Sequence, residues 1–379
     1  MTQAKVALVK CADYDLPRVR DAVRRAVDLV GGMPAFVKPG QRVLLKVNLL
    51  RAASPEDAIS THPAVVQALV ELVQEAGGQP VIGDCPGGPA TPAWIRAVYW
   101  TSGMSKVAEA TGAELNWNFD TTHLACPEGK RIKGLDVGTF VAEADVVIAV
   151  PKLKTHGFMQ LTGATKILFG VIPGTGKVAY HAKFPEPETF GEMLIDIVQA
   201  VKPALFLMDG IVGMDGEGPS AGQPFPIGAV LASTDAAAMD VTSATLVGMD
   251  VQKIYPLRAA IARGMTTGRS EDIAVLGESL DAFEIKGFRP PRTDHPRKRA
   301  TKTLAHTVRY RLVAAPHSNE QCVGCGVCAQ NCPVKAITIV DRRAQMDLKT
   351  CIRCYCCHEM CPHHAIDLKK PWLGRLLSL

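Results

Sequence analysis

Apolar runs alternate with amphipathic segments along most of the chain. The segments KVALV, RVLLKVNLL and ADVVIAV carry apolar residues at successive positions rather than at every second one. Strands of this kind are buried on both faces, and here they are separated by helical patterns such as PRVRDAVRRAVDLV. We therefore predict that residues 1–288 form an α/β domain, in which a mostly parallel sheet carries helices on both faces.

Polar residues follow the apolar runs at the points where we expect strands to end. In an open α/β sheet, ligands bind beyond the carboxyl ends of the strands. The candidate substrate-binding residues at these ends are Lys46, Asn48, Asp84, Lys152, Lys154 and Asp209. The alternative is that strand-end aspartates and glycines only cap turns and helices.

The segment VPKLKTHGFMQLTGATKILFG concentrates positive charge at one such strand end. Proteins rarely bury an unpaired lysine, so we expect these lysines to face a cleft that binds a phosphate or a carboxylate. His156 and His181 are candidate acid/base groups, and Lys166 is a candidate to stabilise negative charge that develops during reaction. Further residues that can complete an anion-binding wall are Gly170, Gly174, Gly176 and Lys177. The alternatives are that the lysines pair with surface acids and that each histidine is structural.

Two nucleotide-binding fingerprints fail in their details. GVIPGTGKV has the wrong glycine spacing for a P-loop, and Val178 replaces the Ser or Thr that would hold magnesium. GTGKVA lacks the acidic residue that a dinucleotide fold places after its second strand. The fingerprints therefore predict no nucleotide cofactor, and the sequence does not specify whether a flavin or an additional metal occupies the cleft.

Nine of the twelve cysteines lie between Cys322 and Cys361. They form two units, CVGCGVCAQNCPVKAI and CIRCYCCHEMCPHHAI, each with the spacing C-x2-C-x2-C-x3-C-P. In two-cluster ferredoxins with this spacing, the fourth cysteine of each unit binds the cluster of the other. One 4Fe–4S cluster is therefore predicted on Cys322, Cys325, Cys328 and Cys361, and a second on Cys351, Cys354, Cys357 and Cys332. Zinc is the alternative, but two zinc ions explain the crossed fourth ligands poorly. Cys356 is left as a spare thiol, unless a shift of register makes it a ligand.

The excess positive charge is concentrated in a segment between the two predicted domains. The segment from Arg289 to Arg311 holds eight Lys or Arg and one Asp, so the rest of the chain is slightly acidic despite a net charge of +5. We interpret residues 289–317 as a basic, proline-containing linker, residues 318–370 as the two-cluster ferredoxin domain and residues 371–379 as a tail. The linker is either solvated or a docking strip for an acidic redox partner or a phosphate-bearing ligand. Nucleic acid is not expected, because no recognition-helix pattern accompanies the charge.

Membrane insertion and secretion are also not expected. No window approaches the 18 or so apolar residues of a membrane span, and the first residues lack the pattern of a signal peptide. We therefore predict a cytoplasmic protein.

Several segments resemble those of a family known as domain of unknown function 362. They are LLKVNLL, HPAVVQALV, GDCPGG, PKLKTHGFMQLTGATKILFG with GTGKVAYH, and MDGIVGMDGEGPSAGQP. Ile167 departs from the pattern, which has a polar residue such as Asn after the lysine. The resemblance implies an α/β domain that often carries a ferredoxin module, and it implies no particular reaction. Residues 318–369 resemble a bacterial-type ferredoxin, which implies one-electron relay.

Three functions are compatible with these patterns. The first is an oxidoreductase that passes electrons from two 4Fe–4S clusters to a small anionic substrate or cofactor in the cleft. A redox partner protein exchanges electrons with the clusters. The second is a non-enzymatic electron-transfer or cofactor-assembly subunit of a larger complex. The third is a transferase or ligase whose clusters are structural.

Overall fold

A computed structural model describes residues 3–88, 91–174, 176–293 and 313–370. The strands of these ranges are β1 Lys5–Lys10, β2 Arg42–Val47, β3 Gln79–Gly83, β4 Glu114–Leu115, β5 Thr121–Ala125, β6 Gly134–Gly138, β7 Val146–Val150, β8 Lys152–His156, β9 Gln160–Thr162, β10 Leu205–Asp215, β11 Gln223–Ser233, β12 Ala274–Gly277, β13 Ala315–Ser318, β14 Ile337–Val340, β15 Arg343–Met346 and β16 Ile366–Lys369. The helices are α1 Leu16–Leu29, α2 Met33–Phe36, α3 Pro63–Glu75, α4 Pro92–Thr101, α5 Met104–Thr111, α6 Thr139–Ala142, α7 Ala164–Ile167, α8 Gly176–Lys183, α9 Pro187–Val201, α10 Ala236–Leu246, α11 Tyr255–Ala262, α12 Val327–Gln330 and α13 Cys356–Met360.

The large domain is built on a 10-stranded sheet. Its main path runs β12-β1-β11-β10-β7-β2-β3-β4, and β8 pairs with both β10 and β9. The strands around β7 and β2 are parallel, whereas β11 is antiparallel to both of its neighbours. The predicted α/β class with a mostly parallel sheet is therefore confirmed.

Both faces of this sheet are buried, as the uninterrupted apolar strands require. Along β1, Val6 and Leu8 belong to an apolar cluster on one face, and Ala7 and Val9 belong to a cluster on the other. The first cluster includes residues of α9, α10 and α11, and the second includes residues of α1 and α3. Burial on both sides fixes the strand register, because a shift by one residue would exchange the two faces.

Two strand boundaries differ from the sequence-based prediction. β10 does not end at Asp209 but continues to Asp215, because β11 pairs with it on both sides of an irregularity between Gly210 and Val212. The basic segment Lys152–His156 does not simply follow a strand but forms one, β8, which pairs with β10 on one side and with β9 on the other. Three of the predicted site residues therefore lie on a strand beyond the end of β7.

The cysteine-rich domain consists of two antiparallel strand pairs, β13 with β16 and β14 with β15, together with α12 and α13.

Residues at both ends of the predicted linker belong to the structure of the adjoining domains. Arg289 forms a 2.7 Å ion pair with Asp215, the buried Thr293 donates a hydrogen bond to the carbonyl of Gly157, and β13 begins at Ala315. Most of the basic linker (294–312) and the predicted tail (371–379) lie outside the described residues. Within the described ranges, no helix is both long and apolar enough to cross a bilayer.

Candidate functional site

The cysteines of the small domain line two separate cavities. The first cysteine cavity, with about 300 Å³ of empty space that includes open solvent, is lined by Cys322, Cys325, Cys328 and Cys361. The second cysteine cavity, with about 330 Å³ of such space, is lined by Cys332, Cys351, Cys354 and Cys357. The structure thus brings together the same two crossed sets of four that the spacing predicts.

The surroundings of these cysteines fit an iron–sulfur cluster. Backbone N–H groups of Ala336 and Ala365 donate to the sulfurs of Cys332 and Cys361 at 3.2 Å, and Ala344 donates to Cys322 at 3.4 Å. Such bonds offset the negative charge of thiolate ligands. Among the described side chains, no three Cys, His, Asp or Glu converge closely enough to hold one metal ion. Four cysteines around each cavity are the ligand set of a 4Fe–4S cluster.

A third and larger cavity lies between the large domain and α13. It contains about 830 Å³ of empty space, part of it open to solvent. We call it the basic cavity, because its wall from the large domain includes the predicted site residues Lys46, Asn48, Asp84, Lys154, Lys166, Lys177 and His181. Its wall from the cysteine-rich domain consists of Asn331, Cys356, Glu359 and Met360.

Lys46 and Asp84 meet because they end neighbouring parallel strands. Lys46 pairs with Gly83 in the ladder between β2 and β3, and its ammonium lies 2.7 Å from Asp84 Oδ1. The other carboxylate oxygen accepts the N–H of Leu49 at 2.8 Å. A Cβ at Gly170 would lie 2.5 Å from Asp84 Oδ1 and 2.7 Å from Lys46 Nζ, so only glycine admits this close approach. The pair is internally neutralised and forms one side of the cavity.

The three remaining lysines of the basic cavity have no carboxylate within ion-pair distance among the described residues. Lys154 Nζ donates to the carbonyls of Ile59 at 2.5 Å and Pro219 at 3.1 Å. Lys177 Nζ donates to the carbonyls of Cys85 and Pro86. Lys166, held by α7, has its ammonium 5.9 Å from the ring centre of Phe169. Burial lowers the pKa of each lysine, and the charge of Lys166 lowers the pKa of Lys154 and Lys177 further.

The two candidate histidines occupy different positions. His181 lines the basic cavity and stacks on Phe190 with ring centres 4.5 Å apart. Burial, with a smaller contribution from Lys166, lowers the pKa of His181 to about 3, so the ring is neutral near pH 7. His156 is fully buried and does not line the cavity; its Nδ1 accepts the N–H groups of Phe158 at 3.0 Å and Met159 at 3.3 Å. Its Nε2 lies 3.2 Å from Glu359 Oε1, so it contacts the cavity only through that carboxylate.

Lys152 and Asp209 bind each other and do not line the basic cavity. Their 2.8 Å ion pair is fully buried, and Tyr14 donates a hydrogen bond to the second carboxylate oxygen at 2.9 Å. The N–H of His62 also donates to Asp209 at 2.9 Å. Lys152 is separated from Lys154 because the register between β8 and β10 shifts: Lys152 pairs with Asp209, whereas Lys154 pairs with Met214.

Sequence reasoning missed the contribution of α13 to this cavity. Cys356 lines the basic cavity and Cys357 lines the second cysteine cavity, because adjacent helix residues point about 100° apart. Met360 reaches Gly87, where a Cβ would lie only 2.4 Å from its sulfur. The one available signal was the ninth cysteine, which the cluster spacing leaves unused.

Cys85 also lines the basic cavity, and burial raises the pKa of its thiol to about 12, which keeps the thiol neutral.

Comparison with known proteins gives two matching families and one curated relative. Residues 43–245 match the family described as "Domain of unknown function (DUF362)", and residues 321–369 match the family described as "4Fe-4S dicluster domain". The thylakoid-associated protein sll1697 of Synechocystis sp. is 34% identical over 267 residues, which is 70% of this chain and 81% of that protein.

Two solved structures resemble the fold more distantly. The lactate racemase apoprotein from Thermoanaerobacterium thermosaccharolyticum has a TM-score of 0.41 and 16% identity, and the match covers 65% of this chain and 57% of that one. A protein from Thermotoga maritima has a TM-score of 0.37 and 11% identity, with 60% and 57% covered. This chain thus spans less than two thirds of either solved chain. The match over residues 43–245 and the Synechocystis relative show that the chain belongs to the DUF362 family, here fused to a 4Fe–4S dicluster domain.

Proposed function

We propose that this protein is an oxidoreductase that passes electrons from two 4Fe–4S clusters to a small anionic molecule in the basic cavity. The observation that carries the proposal is the position of α13 between the two sites. Cys356 lines the basic cavity, and the next residue, Cys357, lines the second cysteine cavity. In the same way, Asn331 lines the basic cavity and the next residue, Cys332, lines the second cysteine cavity. Since successive Cα atoms are about 3.8 Å apart, a ligand in the basic cavity would lie close to the nearer cluster.

The residues of the cavity suit a two-electron reduction of a carbonyl or a carbon–carbon double bond. The clusters, when bound, supply one electron each. Lys154, Lys166 and Lys177 hold the anion, and Lys166 stabilises negative charge that develops on the ligand. A neutral imidazole has one donor and one acceptor nitrogen, so His181 can relay a proton to the ligand. We assign His156 a positioning role, because it contacts Glu359 rather than the cavity.

Reoxidation of the reduced protein tests this proposal. After anaerobic chemical reduction, addition of pooled anionic metabolites is expected to accelerate the recovery of cluster absorbance in the visible range. Lys166→Gln is expected to slow that recovery at least about tenfold, because it removes the charge that stabilises the reduced ligand. Lys183→Gln changes an exposed lysine of α8 and is expected to leave the rate unchanged. If no pool of acceptors accelerates reoxidation of the unsubstituted protein, the proposal fails.

A second candidate, an electron-transfer subunit of a larger complex, is favoured by the surface around the first cysteine cavity. Cys325 is exposed there, and the nearby apolar side chains of Val323 and Ile339 are 45% and 38% exposed. Arg342 is exposed on the adjoining β14–β15 turn, and Arg343 is exposed at the start of β15. Apolar side chains beside positive charge suit a redox partner with an acidic surface.

Charge reversal separates this second candidate from the first. Arg342→Glu with Arg343→Glu is expected to weaken binding of an acidic partner at least about tenfold, with a strong dependence on ionic strength. The measurement is co-purification of a stoichiometric partner, followed by the rate of cluster reduction by that partner. Lys106→Glu, at an exposed position of α5, is the matched control. A partner that binds the unsubstituted protein and the Arg342→Glu/Arg343→Glu variant equally well would contradict this docking surface.

We also propose a cytoplasmic location. Cys11, Cys85 and Cys126 are buried free thiols, which suits a reducing compartment. The name of the Synechocystis relative points instead to thylakoid association. Fractionation of cells into membranes and supernatant, before and after a high-salt wash, distinguishes the two locations.

A further inference from the structure

The basic cavity keeps an excess of positive charge after its internal pair is set aside. Lys46 and Asp84 neutralise each other at 2.7 Å. Lys154, Lys166 and Lys177 lack a carboxylate within ion-pair distance among the described residues, and Glu359 is the remaining acid of the lining. His181 adds no charge, because its ring is neutral. When the lysines and Glu359 are ionised, the ligand therefore faces two uncompensated positive charges.

These charges are distributed over separate walls. Lys154 is held by the carbonyls of Ile59 and Pro219, close to β10 and β11. Lys177 is held by carbonyls that follow β3. Lys166 lines the same cavity and lies near both of the other lysines, since its charge lowers the pKa of each. A single compact phosphate would meet only part of this charge, whereas two separated anionic groups would meet all of it.

The region between the walls suits an uncharged middle section of a ligand. Ile167, Phe169 and Met360 present apolar surface to the cavity. Asn48 Oδ1 and His181 Nδ1 are buried polar atoms with no hydrogen-bond partner among the described residues. Buried polar groups are normally paired. His181 can donate to an anionic ligand in the tautomer that carries the proton on Nδ1, and Asn48 can donate to it when its amide is rotated to present the NH₂ group.

We propose that the basic cavity binds a small dicarboxylate, with its carboxylates at the Lys154 and Lys177 walls, Lys166 near both, and a reducible double bond in the middle facing α13. The reduction rests on the proposed function: the double bond takes two electrons from the clusters and two protons and becomes a saturated bond. The binding itself does not require electron transfer. The two parts can therefore fail separately.

Calorimetric titration of the full chain with its clusters, under anaerobic conditions, tests the binding. The probes are malonate, succinate and glutarate, their monocarboxylate counterparts propanoate, butanoate and pentanoate, and inorganic phosphate. The tightest dicarboxylate is expected to bind at least about tenfold more tightly than its counterpart and than phosphate, because a second charge pair forms in a desolvated site. Lys166→Gln is expected to remove most of that difference, and Lys183→Gln is expected to preserve it. Thermal unfolding of both variants checks that the fold is retained.

Several results would overturn the inference. Equal binding of mono- and dicarboxylates, or tighter binding of phosphate than of any dicarboxylate, would show that the cavity does not recognise two separated charges. Unchanged dicarboxylate affinity in a folded Lys166→Gln protein would place the binding elsewhere. Saturated dicarboxylates cannot accept electrons, so their binding is independent of catalysis. If saturated dicarboxylates bind but unsaturated ones do not reoxidise the clusters, the proposed reduction fails and the dicarboxylate site stands. If no dicarboxylate binds and only monoanionic acceptors reoxidise the clusters, the dicarboxylate site fails and the proposed oxidoreductase function stands.

Discussion

Replacing Cys332 by serine is expected to remove about half of the iron, from about eight atoms to about four per chain. Cys332 belongs to the first cysteine repeat, but it lines the cavity of Cys351, Cys354 and Cys357 from the second. Its loss should therefore remove the cluster of the second repeat and spare that of the first. Iron analysis and electron paramagnetic resonance of the anaerobically reduced protein measure both effects.

Cys356→Ser is the matched control for this experiment. Cys356 lies next to Cys357 in sequence, yet it lines the basic cavity instead of a cysteine cavity. Its replacement should leave the iron content at the unsubstituted value. A loss of iron in Cys356→Ser equal to that in Cys332→Ser, or full iron content in Cys332→Ser, would contradict the crossed assignment.

Asp209→Asn is expected to lower the free energy of unfolding by about 3–5 kcal/mol. Lys152 would then keep a buried ammonium without its carboxylate partner, and the exposed fraction of both side chains is 0%. Asparagine retains an oxygen that can accept from Tyr14 or His62, so the change acts mainly through charge. Urea unfolding followed by circular dichroism measures the loss.

The double substitution Lys152→Met with Asp209→Asn isolates the effect of the ion pair. Replacing a buried ion pair by uncharged groups of similar volume is often neutral, whereas removing one partner is costly. The double variant should therefore recover most of the stability that Asp209→Asn loses. A double variant as unstable as the single one would show that the cost comes from packing or hydrogen bonding rather than from the unpaired charge.

The features that the sequence predicts correctly are those with a local cause. Uninterrupted apolar runs predict strands buried on both faces, and the structure confirms the mostly parallel sheet. The strand-end rule also brings Lys46 to Asp84, because β2 and β3 are parallel neighbours whose ends meet at one edge. The cysteine spacing predicts two crossed sets of four, and the same sets line the two cysteine cavities, while the binding of clusters by these sulfurs stays a prediction.

The features that the sequence does not predict depend on contacts between distant segments of the chain. Lys152 and Lys154 lie on one strand and would be expected to share a face, but the shifted register along β10 gives them different neighbours. The role of α13 as a cavity wall depends on how one domain docks on the other. No pattern within CYCCHEMC indicates that Cys356 and Glu359 face the large domain.

The shared wall has a consequence for the independence of the two domains. Three of the four residues that close the basic cavity, Cys356, Glu359 and Met360, are carried by the same short helix that presents Cys357 to the second cysteine cavity. A freely diffusing ferredoxin with identical clusters would not hold this position, and the basic cavity would lack the wall formed by Asn331, Cys356, Glu359 and Met360. On the proposed function, the domain that carries the electrons also closes the cavity, so exchanging it for another is expected to alter ligand selection together with electron supply.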